Sequence, residues 1–129
     1  MGGRRRAARL SAGERSAAAR RAAAARWIRH RFGGTSFEEM GLPGGDIVDA
    51  GLADLADGRT TPESLAVSLA APRLRREGVP VGRVEEDPER RLFDLIADTE
   101  GDLAHHRYNA YLRRLVSFAD ACRFARVDR

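Results

Sequence analysis

Asp102 and His106 stand four residues apart in the run Asp102-Leu103-Ala104-His105-His106-Arg107-Tyr108-Asn109. On a helix that spacing puts two side chains on one face, where a carboxylate can hold the imidazole proton and fix its tautomer. A small hydrolase directed at RNA or another phosphate could use the pair, with His106 as base and Arg107 or Arg113 meeting the phosphate charge. His105 and Asn109 repeat the spacing. His105 and His106 are adjacent and point roughly 100° apart, so they cannot share one metal ion without ligands from elsewhere. No metal site and no cofactor is expected. The plainer reading outweighs the catalytic one: a helix start capped by Asp102, with exposed histidines and inward tyrosines.

The other polar constellation is Arg15, Arg20, Arg21, Arg26, Trp27, Arg29, His30 and Arg31. Guanidinium groups pair bidentately with phosphate, and an arm this dense in them would release several counterions from a nucleic acid. Trp27 and His30 could add stacking on exposed bases. The same helix could instead enter a groove of an acidic protein. A third possibility is a solvated helix that docks loosely on the acidic middle of its own chain.

Composition narrows the chemistry. All 23 basic residues are arginine, which excludes a phosphate-loop lysine, a Schiff-base lysine and a kinase-type lysine. Cys122 is the single cysteine, so neither an internal disulfide nor a multi-cysteine zinc site can form. Hydrophobic residues make up 43% of the 129, too many for a fully disordered chain. The mean hydropathy of -0.46 argues against a membrane-embedded one. Charge is divided sharply along the chain. Residues 1–31 hold ten arginines against Glu14, residues 32–106 seven against sixteen carboxylates, and residues 107–129 six against two. A basic start can therefore seek an acidic partner or fold back on its own middle. Arg15, Arg20, Arg21 and Arg26 interrupt the alanines, so no export-type apolar core follows the first arginines. An organelle transit peptide is the fairer rival, but the chain reads as cytoplasmic.

The elements that must position these groups read as helices punctuated by glycine. Ser11 and Glu14 fit a capping box, and the alanine-rich run continues to Phe32 before Gly33-Gly34. Ile28 and Phe32 share a narrow apolar seam with Ala17 and Ala24. Thr35 with Glu38, and Ser36 with Glu39, offer two further boxes, ended within a turn or two by residues 41–45. Asp46 is expected to cap a helix bearing Ile47, Val48, Leu52 and Leu55, closed by Gly58. Thr61-Pro62-Glu63 starts another, with Leu65, Leu69, Ala66 and Ala70 as its buried face and a kink or restart at Pro72. Residues 79–82 form an extended connector. Asp87-Pro88-Glu89 repeats the start grammar for a helix with Leu92, Phe93, Leu95 and Ile96. The last helix is expected from about Asp102 to near Arg126, with Tyr108, Tyr111, Leu112, Leu115, Phe118, Ala119 and Cys122 in apolar register.

The pair 46–57 and 61–71 has the outline of a helix-turn-helix, but five carboxylates stand there against Arg59 alone, which would repel a phosphate backbone. Packing is its expected role. Arg73, Arg75, Arg76 and Arg83 form a smaller basic patch with acidic neighbours in reach. The glycines at 41–45 are followed by Asp46 and Asp49 rather than lysine, so they make a poor phosphate cradle.

The expectation is an all-α fold, a small helical bundle of about four to five helices at 34–129, preceded by a protruding Arg/Ala-rich helical arm at 1–33. The expected function is a non-enzymatic binding or regulatory protein whose arm engages an acidic partner, nucleic acid or protein. The small hydrolase is the alternative. A homodimer burying the Ile28 and Phe32 seam is a further expectation.

Overall fold

The computed structural model describes residues 12–34 and 36–125, and every regular element among them is helical. Five α-helices follow in order: α1 (Ala12–Phe32), α2 (Gly45–Asp57), α3 (Pro62–Arg76), α4 (Pro88–Glu100) and α5 (Ala104–Ala125). A 3-10 turn at Gly101–Leu103 precedes α5. The all-α expectation holds. The capping roles expected of Ser11 and Thr35, and the helix end near Arg126, lie outside the described residues.

Thr61 starts α3 as its sequence predicts. Its hydroxyl accepts from the Ser64 amide at 3.0 Å while the Ser64 hydroxyl accepts from the Thr61 amide at 2.8 Å. Ser64 closes this reciprocal box. The Thr61 hydroxyl also donates to Asp54 at 2.6 Å, and Arg59 donates to the same carboxylate at 2.8 Å, so the α2–α3 turn is tied from both sides.

Three helix signals resolve differently from expectation. Asp46 does not cap α2. Gly44 takes a left-handed backbone with φ +75° and starts the helix two residues earlier, leaving Asp46 in the first turn, where Arg114 donates to it at 2.5 Å. Asp87 precedes Pro88 as expected but adopts φ +46° and makes no side-chain cap bond. α3 runs without interruption through Pro72 to Arg76. The proline deprives the Ser68 carbonyl of its donor, at a cost of roughly 3 kcal/mol. Ala71 and Leu74 on either side are wholly buried, and their packing holds the helix together.

α3 is the central helix. Ser64 to Ser68, Ala71 and Leu74 are all buried, a stripe wider than the expected face, whereas Leu69 and Ala70 are only half-buried. α2 returns along it as an antiparallel hairpin, and Gly51 permits the close approach: a Cβ there would lie 2.5 Å from the Glu63 carbonyl oxygen. α5 runs in the same direction as α3, since Arg73 pairs with Asp120 and Glu77 with Arg123. α4 lies antiparallel to α5, with Phe93 against His105 and Tyr108, and Arg107 paired to Glu100. The connector at 79–87 is laid back along α3. Arg75 donates to the Val81 and Gly82 carbonyls, and the Glu85 amide donates to the Ser68 hydroxyl, which itself donates to Ser64.

α1 joins this core at its inner face. Ile28 is 6% and Phe32 5% exposed, and both belong to the same apolar cluster as Leu65, Leu74 and Phe118. Phe37 stands between Phe32 and Phe118, edge to face with each at 5.1 and 4.9 Å. Asp49 of α2 secures the Phe37 turn by accepting from the Phe37 and Glu38 amides. The seam expected to be available for a second copy is thus covered by the chain itself.

Candidate functional site

At helical pitch, Ala23, Arg26 and His30 lie opposite Ile28, with Trp27 on one flank of that outward face and Arg29 on the other. The arginines of α1 divide into two sets. Arg20 donates to the Ala56 carbonyl at 2.7 Å, and Arg21 is ion-paired with Asp57. Both serve the carboxy-terminal turn of α2, where cations complement the helix dipole. Part of the basic segment is therefore turned onto the chain's own acidic middle. Arg15 is exposed near the start of the helix. Arg26 and Arg29 are exposed and form no ion pair or hydrogen bond among the described residues.

Trp27 is 51% exposed despite being the chain's one tryptophan. Two neighbours on its own helix fix the ring. His30 meets it edge-on with centroids 6.2 Å apart, and the Arg31 guanidinium carbon lies over it, 6.0 Å from the ring centroid. Arg31 is half-buried and its Nε has no hydrogen-bond partner among the described residues. The guanidinium lies close against Gly78, where an added Cβ would stand 2.5 Å from the Arg31 Nε. Ala23, Arg26, Trp27 and His30 line a shallow open depression of about 240 Å³.

Because α1 passes from the end of α2 to Gly78, it runs in the same direction as α3 and α5. The carboxy-terminal turns of these three helices carry Arg29, His30 and Arg31, then Arg73, Arg75 and Arg76, then Arg123. Arg73, Arg75 and Arg123 are engaged by Asp120, the connector carbonyls and Glu77. Arg76, like Arg83, is exposed and unpaired among the described residues. The sequence showed each basic cluster separately; only the shared helix direction brings the ends of α1 and α3 together at Gly78.

The Asp102 cluster does not assemble. Asp102 lies in the 3-10 turn and His106 in the first turn of α5; both are exposed, and no hydrogen bond or ion pair joins them. His105 packs its ring on Phe93, 4.8 Å between centroids, and Arg107 turns back to Glu100 at 3.5 Å. Among the described residues no group of histidine, cysteine and carboxylate side chains is placed to hold a metal ion. Cys122 is buried in the apolar register of α5. The α2–α3 pair cannot present a recognition helix, because α3 is enclosed by its neighbours. No helix among the described residues is long and apolar enough to cross a membrane. No protein-family model, no curated protein and no solved structure matches the chain.

Proposed function

We propose that this chain is a small non-enzymatic binding protein, regulatory in role and cytoplasmic, that engages an acidic partner, nucleic acid foremost, through the outward face of α1. The observation that carries the reading is the pair Arg26 and Arg29. Where most of the other described arginines are turned onto the chain's own carboxylates and carbonyls, Arg26 stands unpaired beside the exposed Trp27 and Arg29 stands unpaired on the opposite flank of the same outward face. Exposed guanidinium groups free of internal partners are what phosphate binding uses, each contact releasing condensed counterions.

The test is binding of oligonucleotides against salt, comparing the full chain with the double variant Arg26→Glu and Arg29→Glu. Deleting α1 is not a clean alternative, since it removes Ile28 and Phe32 from the core. The wild type is expected to bind with a steep inverse dependence on salt. Each lost phosphate contact lowers the slope of log K against log salt by roughly 0.7 to 0.9, so the double variant should bind more weakly with a slope flatter by about 1.4 to 1.8. An unchanged slope rejects direct phosphate contact by these residues. No binding by wild type at low salt rejects nucleic acid and directs the search to an acidic protein, captured in a form that survives nuclease.

A further inference from the structure

We infer that Trp27 is a stacking platform for an unpaired base, so that the surface takes single-stranded nucleic acid in preference to duplex; this rests on the nucleic-acid reading and specifies its ligand.

Three features of the ring argue for it. First, Trp27 remains half in water although the narrow apolar seam of α1 has room for few large residues, and Ile28, its immediate neighbour, is buried. The indole stays outside the core cluster at this position, yet it is not without neighbours. Second, what holds it is an edge contact from His30 and the Arg31 guanidinium, itself seated against Gly78. A ring oriented in advance loses little rotational freedom when a ligand stacks on it. Third, its surroundings are low. The depression it shares with Ala23, Arg26 and His30 is smaller and more open than the ~300–1,000 Å³ clefts that enclose small molecules. A planar group can lie against the ring; a bulky one would find no walls.

Charge selects among planar groups. Arg26 borders the depression, and Arg29 flanks the same face of the helix. A nucleotide offers both a π-face for the indole and a phosphate for a guanidinium, a combination that recurs in single-strand binding. In a duplex the π-faces are already stacked on one another. Trp27 could then touch only backbone or groove edges, and its orientation would be without use.

The experiment uses the full chain and its single tryptophan as reporter. Oligothymidylate and a duplex of equal length are titrated against Trp27 fluorescence, and binding is measured independently for wild type, Trp27→Ala and Trp27→Phe. Trp27 lies outside the core, so both variants should keep the helical circular dichroism of wild type. The expected results are quenching by the single strand, tighter binding of single strand than duplex, and an affinity loss of about tenfold or more in Trp27→Ala. Trp27→Phe, which keeps a π-face, should recover most of that loss, and the salt slope should be the same in all three proteins. Salt-dependent binding that is indifferent to strandedness and to Trp27→Ala overturns the platform and leaves the phosphate-binding function standing. Absence of binding to either oligonucleotide overturns that function, and the platform with it.

Discussion

Arg31 spans from Gly78 to Trp27: a Cβ on Gly78 would stand 2.5 Å from its Nε, and its Cζ lies over the indole, 6.0 Å from the ring centroid. A glycine that reads in sequence as a helix stop therefore also makes room for the side chain behind the exposed ring. Gly78→Ala would bring a methyl group to 2.5 Å from the Arg31 Nε and impose a side chain on a backbone with φ +90°. The expected cost is more than about 1 kcal/mol, measured by urea denaturation. Displacement of Arg31 should also alter Trp27 emission in the folded protein. An emission spectrum identical to wild type would mean that Arg31 does not rest on Gly78.

Gly51 makes a comparable demand at the α2–α3 crossing, with a rigid neighbour instead of a flexible one. An alanine there would meet the Glu63 backbone and the Val67 side chain, and the helices would have to separate. Gly51→Ala is expected to destabilise by about 1–3 kcal/mol, the range for overpacking a core. Gly82→Ala is the matched control, because no atom lies within 4 Å of its added Cβ. It should be neutral or slightly stabilising. Equal effects of the two changes in thermal melts would contradict the close crossing.

Tyr111 and Tyr108 govern the alkaline limit of stability. Burial raises both phenols above the ordinary 10.0, and Glu63 raises Tyr111 further through its charge and a hydrogen bond, against smaller opposing effects of Arg107 and Arg114. Glu89 adds to the rise at Tyr108. A raised folded value means that the folded chain keeps protons the unfolded chain releases. The stabilisation is full below the unfolded value and is lost as pH rises through the folded ones. The chain has no lysine, so apart from Cys122 no other side chain type titrates in this range. In a Cys122→Ala background, which removes the buried thiol, the urea midpoint should fall as pH rises above about 10. Tyr111→Phe should make the fall shallower, and an unaltered profile would remove Tyr111 from the account.

Local grammar was legible where a short motif suffices. Thr61-Pro62 marks the start of α3, Gly58 closes α2 with φ +73°, and the apolar register of α5 reaches Cys122 as its spacing requires. It failed where a distant residue decides. Asp49, read only as one more carboxylate, caps the Phe37 turn from eleven or more positions away. Pro72 is carried by the burial of Ala71 and Leu74, which no local propensity records. Ile28 and Phe32 were visible as a seam, but its occupant, Phe37 and the core behind it, was not. At the candidate surface Arg26, Trp27, Arg29, His30 and Arg31 were visible in the sequence, whereas Ala23 and Gly78 carry no signal of their own. The division into engaged Arg20 and Arg21 and free Arg26 and Arg29 was not visible, because it depends on where the end of α2 lies.

α1 sits at the margin of the bundle, resting on it through one face and latched near its middle by Arg20 and Arg21. Regions fastened by few buried contacts open without global unfolding, and their amides exchange with solvent ahead of those of an enclosed helix such as α3. Such an opening would bare Ile28 and Phe32 and release Arg20 and Arg21 from the end of α2, freeing the Asp57 carboxylate along with them.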